Sequence, residues 1–139
     1  MKISTLVDTN ILIDLLGPAT PHRRWSVMAL GKCRDEGELV LSPIVWSEVA
    51  ASVIAEDTLT VAFSWLDMSR DSLPFEAAFR AGKAHRAYRM AGGQRDRTLP
   101  DFLVGAHAEW RRYRLLTRDI ARYRSYFPSL DIITPETHP

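Results

Sequence analysis

The chain has 139 residues, of which 46% are apolar, so it is long enough to bury one core without a covalent cross-link. Its one cysteine, Cys33, excludes an intrachain disulfide, and Asp8 interrupts the first apolar run before it reaches the length of a signal peptide or a membrane span. The formal net charge is only +1. From the length, the cysteine count and the lack of a long apolar run, we expect a single domain over residues 1–139 that works in the cytoplasm and away from membranes.

Short apolar runs alternate with segments that carry helix start and stop signals. Proline in the first turn marks two helix starts, at Ser42-Pro43 and Thr98-Leu99-Pro100, and Gly17-Pro18 marks a helix end. Either Thr9 or Asn10 can cap the first helix. In chain order the predicted elements are strand 2–7, helix 9–16, helix 22–34, strand 38–41, helix 43–55, helix 57–66, strand 69–73, helix 75–90, helix 101–112, strand 115–117, helix 120–126 and strand 131–133.

This alternation predicts an α/β fold of the Rossmann-like kind. We expect a mostly parallel sheet of about five strands, joined by right-handed crossovers and flanked by helices on both faces. The first strand is followed by Asp8-Thr9-Asn10, without a glycine. The missing glycine-rich turn argues against a dinucleotide or P-loop phosphate site.

Four acidic residues occupy positions that such a fold can bring together. Asp8 and Asp119 follow predicted strands, and ligands of open α/β sheets bind at the carboxyl ends of strands. Glu48 shares a helix face with Ile44, and Asp101 lies in the first turn of a helix. Such a cluster indicates a metal site, because unpaired carboxylates repel one another and are costly to bury.

Each acid also has a purely structural interpretation. Asp119 can cap the helix at 120–126, Asp101 can interact with the helix dipole, and Glu48 can pair with a buried arginine. We expect Asp14 to be solvated and His107 to lie on another helix face than Asp101.

Gly105, one turn after Asp101, is expected to let that helix approach a neighbouring backbone closely.

The small net charge conceals a strong asymmetry along the chain. Residues 80–124 carry twelve basic side chains, eleven of them arginine, against four acidic ones, whereas residues 1–79 carry six basic and eleven acidic side chains. Arginine binds phosphate through two hydrogen bonds and stacks on exposed bases, so its concentration here favours nucleic-acid binding. A solvated helical face is the alternative.

Four segments of the chain together resemble one known family, the PIN-domain ribonucleases, and particularly the VapC-type toxins of bacterial toxin–antitoxin pairs. The four segments extend over almost the whole chain. Their occurrence together, in this order, is a stronger sign of the family than any one segment alone. The segments are Leu6-Val7-Asp8-Thr9-Asn10-Ile11-Leu12, Ser47-Glu48-Val49, Leu99-Pro100-Asp101-Phe102-Leu103-Val104-Gly105-Ala106-His107-Ala108, and Leu115-Leu116-Thr117-Arg118-Asp119 followed by Tyr126-Phe127-Pro128.

The resemblance implies a metal-dependent endoribonuclease that hydrolyses phosphodiester bonds in structured cellular RNA and leaves a 5′-phosphate and a 3′-hydroxyl. It implies that the four acids form the family's catalytic quartet, which binds Mg²⁺ or Mn²⁺. The quartet is Asp8, Glu48, Asp101 and Asp119. Small polar residues that orient the quartet correspond to Thr9, Asn10 and Thr117. Oxygen ligands of this kind suit hard divalent cations.

The resemblance also implies a cognate antitoxin protein as partner, and a homodimer. Apolar residues of the two middle helices are candidates for either contact, namely Trp46, Val49, Val53, Phe63 and Trp65. Arg95, Arg97 and Arg118 are candidates for RNA contacts, although each can instead neutralise the carboxylates or face water.

Two other functions remain open at this point. A HAD-like phosphatase or phosphotransferase also places an aspartate after its first strand, but typically has a second carboxylate two residues later, where this chain has Asn10. A catalytically inert, receiver-like protein-binding module is expected to have a lysine near a late strand, but the last lysine here is Lys83.

Overall fold

The computed structural model describes residues 2–94 and 96–139. Its five strands form one sheet in the spatial order β3-β2-β1-β4-β5, and each neighbouring pair is parallel. The strands are β1 (Thr5–Val7), β2 (Leu39–Leu41), β3 (Ser69–Arg70), β4 (Arg114–Leu116) and β5 (Ile132–Ile133). The expected α/β architecture is confirmed, and the sheet is wholly parallel in the described residues.

Seven α-helices connect and cover these strands in the part of the chain that the structure describes. They are α1 (Thr9–Leu16), α2 (Pro21–Glu36), α3 (Pro43–Ala50), α4 (Glu56–Phe63), α5 (Phe75–Met90), α6 (Leu99–Arg111) and α7 (Ala121–Arg124), with a 3₁₀ turn at Ser64–Leu66. None of them is long and apolar enough to cross a membrane.

Most predicted elements are present, with changes at their ends. The predicted helix 43–55 ends at Ala50, because the Ser52 hydroxyl donates to the Val49 carbonyl at 2.6 Å and competes with the helical pattern. Asp8, rather than Thr9 or Asn10, caps α1, since its side chain accepts the Thr9 N–H.

The position of β1 in the sheet determines where a ligand site can form. β1 lies in the centre, with β2 on one side and β4 on the other. Its three residues are buried, as are those of β2 and β4, which is the pattern of a sheet covered on both faces. After β1 the chain adds β2 and β3 on one side of it, and then adds β4 and β5 on the other side. The strand order therefore reverses between β1 and β4, and the carboxyl ends of these two strands border the crevice where α/β folds bind ligands.

Gly105 allows α6 to pack closely on an aromatic side chain, not on a neighbouring backbone as expected. A Cβ atom at Gly105 would lie 2.5 Å from the Phe127 ring. Phe127 is buried and also packs near Phe102, at 6.3 Å between ring centroids. The glycine therefore makes room for the segment that follows β4, which includes α7.

We predict that Gly105→Ala destabilises the protein by about 1–3 kcal/mol, because overpacking of a core outweighs the gain of about 1 kcal/mol in helix propensity. Gly82→Ala is a matched control: it lies within α5, with no atom within 4 Å of the added Cβ, and should stabilise by about 1 kcal/mol. Urea denaturation measures both free energies of unfolding. A stabilised Gly105→Ala variant would contradict this packing.

Candidate active site

The carboxylate of Asp8 lies at the carboxyl end of β1 and is held inside the protein by three donors. Oδ1 accepts the backbone N–H of Thr9 at 2.7 Å. Oδ2 accepts the hydroxyls of Thr117 and Tyr123, each at 2.8 Å. Burial raises the pKa of Asp8 above its ordinary value of 3.8, and the neighbouring Asp101 raises it further, against the lowering effect of the three hydrogen bonds. The folded protein thus holds an acid whose negative charge is incompletely compensated.

Asp101 and Asp119 share one arginine. Nη1 of Arg122 lies 3.2 Å from Oδ1 of Asp101, and its Nε lies 2.7 Å from Oδ2 of Asp119. The other oxygen of Asp101 accepts the backbone N–H of Thr98 at 2.9 Å, which caps the start of α6. Asp119 does not cap α7, whose first residues lack a side-chain cap. The two acids are therefore bound to a cation that belongs to the chain itself.

Glu48 reaches the same edge of the sheet from α3. The Thr9 hydroxyl donates to its Oε1 at 2.7 Å, so Thr9 contacts Asp8 through its backbone and Glu48 through its side chain. Among the described residues Glu48 forms no ion pair, so it is not the partner of a buried arginine.

A polar network links the strand ends on both sides of the site. Asn10 donates to the Thr117 hydroxyl at 3.2 Å and accepts the backbone N–H of Arg118 at 3.2 Å. The Thr117 hydroxyl also accepts the backbone N–H of Asp119 at 3.1 Å. These contacts fix the rotamer of Thr117, which in turn orients Asp8. The Asn10 amide thus orients Thr117 and, through it, Asp8.

The four acids are connected by their partners more than by mutual contact. Thr9 joins Asp8 to Glu48, and Arg122 joins Asp101 to Asp119. Within residues 2–94 and 96–139, no three side chains of His, Cys, Asp or Glu converge as a metal-binding group. The assignment of these acids to a metal and to catalysis stays a prediction.

The candidate RNA contacts have different surroundings. Arg118 is bound to Asp14 through two hydrogen bonds of 2.7 and 3.0 Å, so its guanidinium is engaged within the protein. Asp14 also accepts the Ser26 hydroxyl at 2.6 Å, and is therefore not the solvated residue that the amphipathic pattern predicts. The Arg97 guanidinium lies over the Tyr88 ring, 5.4 Å from its centroid. Arg95 lies outside the described residues.

His107 belongs to a separate cluster, as its position on α6 predicts. Its Nε2 lies 3.0 Å from Oδ2 of Asp71, which also accepts the Tyr113 hydroxyl at 2.9 Å. Burial, followed by hydrogen bonding to Asp71, raises the pKa of Tyr113 to about 12. This cluster joins the segment after β3 to α6.

Sequence reasoning missed two residues of the site, Arg122 and Tyr123. Both lie on α7, which begins two residues after Asp119. The spacing of Asp119 and Arg122 is the i,i+3 spacing of helical ion pairs, and is a signal that can be read from the sequence. The contact of Tyr123 with Asp8 joins residues 115 positions apart, and no local pattern indicates it.

A comparison with protein-family models identifies the family. The PIN-domain model matches residues 5–126, which include all four acids of the predicted quartet. The chain belongs to the PIN-domain family. This is a family of nucleases, and the resemblance seen in the sequence is confirmed. No curated protein matches the sequence significantly.

Solved structures with the same fold include several toxin–antitoxin complexes. VapBC2 from Rickettsia felis, bound to a DNA fragment from its promoter, matches the PIN domain with a TM-score of 0.73 at 16% identity, covering 95% of this chain and 98% of that chain. VapBC-1 from nontypeable Haemophilus influenzae matches with a TM-score of 0.71 at 17% identity, covering 95% and 98%. A toxin–antitoxin complex from Klebsiella pneumoniae matches with a TM-score of 0.69 at 26% identity, covering 94% and 97%.

The raised pKa of Asp8 predicts how stability depends on pH. Since the folded protein binds this proton more tightly than the unfolded chain does, Asp8 lowers stability as pH rises from 3.8 through its folded pKa. With chelator present, Asp8→Asn should raise Tm at pH 7, and the difference should shrink toward pH 4. Differential scanning fluorimetry across pH measures both effects.

Asp35→Asn is a matched control, because Asp35 is an exposed acid on α2. It should leave Tm within about 1–2 °C. Because Asn replaces one of the two accepting oxygens with an NH₂ group at every pH, the change of the Tm difference with pH is the decisive result. A Tm difference between Asp8→Asn and the wild type that is the same at pH 4 and pH 7 would contradict the raised pKa of Asp8.

Proposed function

We propose that this PIN-domain protein is a metal-dependent endoribonuclease, the toxin of a toxin–antitoxin pair, acting on structured RNA in the cytoplasm. The observation that carries this proposal is the buried Asp8 carboxylate, which stands at the crevice of the sheet beside Asp101. A buried acid with a raised pKa, close to a second acid, is the kind of perturbed group that occurs at catalytic sites.

The residues at this edge of the sheet fit a hard divalent cation. The four acids, Thr9 and Thr117 supply oxygen atoms as ligands, and the incompletely compensated charge of Asp8 favours a nearby cation. Asp8 and Asp101 would hold Mg²⁺ or Mn²⁺, with Glu48 and Asp119 contributing directly or through water. A bound ion at this position would polarise the phosphodiester, lower the pKa of an attacking water and stabilise the leaving oxyanion.

The chain's own residues position these groups. Thr9 and Thr117 hold Glu48 and Asp8 by hydrogen bonds of 2.7 and 2.8 Å. The Tyr123 hydroxyl donates a hydrogen bond to Asp8, and burial together with the neighbouring Asp8 charge keeps the pKa of Tyr123 well above its usual value. Tyr123 therefore remains a neutral donor and orients the carboxylate without taking its proton.

A basic furrow beside the site supports RNA as the substrate. It runs along α5, where His85 and Arg89 line it, passes Arg97 in the segment after α5, and reaches Thr98 and Leu99 at the start of α6. Arg86 and Arg89 line its continuation. The furrow thus opens three residues before Asp101, and RNA phosphates bound along it would lead to the acidic site.

Exposed apolar side chains support a contact with an antitoxin and a contact with a second copy of the chain. Near α4, Ile54 and Val61 are exposed and Trp65 is 44% exposed, whereas Val49 and Phe63 are core residues. On α5, Phe75 and Phe79 are exposed at i,i+4 spacing. Exposed apolar side chains near one another in the chain are of the kind that marks interaction sites. We assign those near α4 to the antitoxin, consistent with the toxin–antitoxin complexes of similar fold, and those of α5 to a homodimer.

Cleavage of total cellular RNA by the purified chain tests the activity. With Mg²⁺ or Mn²⁺ we expect discrete fragments that carry a 5′-phosphate and are absent with chelator and with the folded Asp8→Asn variant. Thr9→Val, which removes only the hydroxyl bound to Glu48, should lower the rate about ten- to a hundredfold. If the folded wild type, free of antitoxin, leaves the pool intact with both metals, weight shifts to an inert binding module.

Charge reversal tests the furrow. Arg97→Glu should weaken RNA binding at least about fivefold, because one phosphate contact becomes a repulsion, and the same is expected for Arg95→Glu. Lys32→Glu makes the same change on α2, near the amino edge of the sheet, and should leave binding unchanged. Fluorescence anisotropy with Ca²⁺ and an inactive Asp8→Asn background measures binding without cleavage. Equal effects of Arg97→Glu and Lys32→Glu would remove the furrow from the RNA path.

A further inference from the structure

Arg122 occupies the place of a cation between two of the predicted metal-binding acids. Its guanidinium contacts Asp101 at 3.2 Å and Asp119 at 2.7 Å with different nitrogen atoms. Both acids raise the pKa of Arg122, against the lowering effect of burial. The arginine therefore neutralises carboxylates that would otherwise repel each other and the buried Asp8.

This contact is of a kind that can be exchanged. The Arg122 side chain is 45% exposed and that of Asp119 is 39% exposed, so water screens this ion pair and it contributes little free energy. The Asp101 side chain is only 9% exposed. Because a buried carboxylate without a counter-ion is costly, Arg122 can leave Asp101 only when another cation takes its place. The main chain near Arg122 is fixed by its neighbour Tyr123, which is buried and bound to Asp8. The guanidinium can thus leave the two acids by side-chain rotation while α7 keeps its place.

We propose that Arg122 is an exchangeable counter-ion of the active site, which holds Asp101 and Asp119 in the metal-free protein and binds a phosphate of the RNA when these acids bind a divalent ion. The proposal rests on the function proposed above, since it requires that the two acids bind a metal. The same planar fork of N–H donors binds a carboxylate or a phosphate with equal geometry.

Charge balance supports Arg122 at Asp101 and Asp119 in the metal-free protein and at an RNA phosphate when a metal is bound. With a divalent ion at the acids, a guanidinium at the same place would be repelled by it, and the nearest new anion would be the RNA backbone. Arg97 and Thr98 line the furrow, and the Thr98 N–H donates to the same Asp101 carboxylate that Arg122 contacts. The Arg122 side chain is therefore close to the mouth of the furrow when it leaves Asp101.

The first test is the affinity for Mn²⁺, measured by isothermal titration calorimetry without RNA. Arg122→Ala should bind Mn²⁺ about fivefold more tightly than the wild type, because no internal cation competes. Arg122→Lys keeps the charge and should stay near the wild type. Arg124→Ala is the control, since Arg124 is exposed on the same helix and forms no ion pair in the described part of the chain. Circular dichroism verifies folding, and Arg122→Gln replaces Arg122→Ala if the latter unfolds.

The second test is binding of a single-stranded 2′-O-methyl oligonucleotide, which is not cleaved, in the presence of Mn²⁺. Arg122→Ala should bind it more weakly, and the slope of log K against log salt should fall by about 0.7, the value for one lost phosphate contact on a single strand. Arg124→Ala measured alongside shows how much any arginine on this helix contributes to the slope.

The outcomes separate this proposal from the function on which it rests. Tight Mn²⁺ binding by the wild type with unchanged or weaker binding by Arg122→Ala overturns the exchange and leaves the metal site in place. A wild type that binds Mn²⁺ no better than Asp8→Asn overturns the metal-dependent function and the exchange together. Tighter Mn²⁺ binding with an unchanged oligonucleotide slope overturns the phosphate contact.

Discussion

The burial of one carboxylate at the end of the central strand is the constraint on which the rest of the site depends. Asp8 is placed by β1, the central strand of the five, and is 5% exposed, so it cannot turn to solvent. The fold compensates its charge from three directions: the start of α1, the end of β4 and the single turn of α7. This compensation remains incomplete, and the residual cost is of the kind that functional sites retain.

The positive charge of residues 80–124 has two different uses, which the sequence does not distinguish. Five of its arginines form ion pairs within the described residues, namely Arg80, Arg111, Arg114, Arg118 and Arg122. The first four join separate elements of the fold, whereas Arg122 contacts two acids of the candidate site. Arg86, Arg89 and Arg97 form no ion pair among the described residues, and they line the furrow beside α6. The part of the charge that is available to an anionic partner is thus smaller and more localised than composition indicates.

Much of the fold could be predicted from the sequence because its signals are local. Helix α5 has its predicted limits, Phe75–Met90, and the strand ends that carry Asp8 and Asp119 follow from apolar runs. The partners of these acids could not be predicted in the same way. The Tyr123 hydroxyl on α7 contacts Asp8, 115 positions earlier in the chain, and the Phe127 ring fills the space beside Gly105. Tertiary packing decides both contacts, and local sequence does not. Helix 43–55 was predicted too long because a serine hydroxyl competes with the backbone, an effect that propensity alone does not measure.

Helix α7 explains how the charges of the four acids can be balanced within the protein while two of these acids remain available to a ligand. It has only four residues, and successive side chains on a helix point about 100° apart. Tyr123 points inward to Asp8, and Arg122, one residue earlier, points along the rim to Asp101 and Asp119. Burial of Tyr123 fixes the turn, whereas Arg122 is 45% exposed and is held by two ion pairs, one with exposed Asp119 and one with buried Asp101. The same turn therefore supplies one partner that stays in place and one that can leave, and the acids of the site differ accordingly in how readily they become available to a ligand.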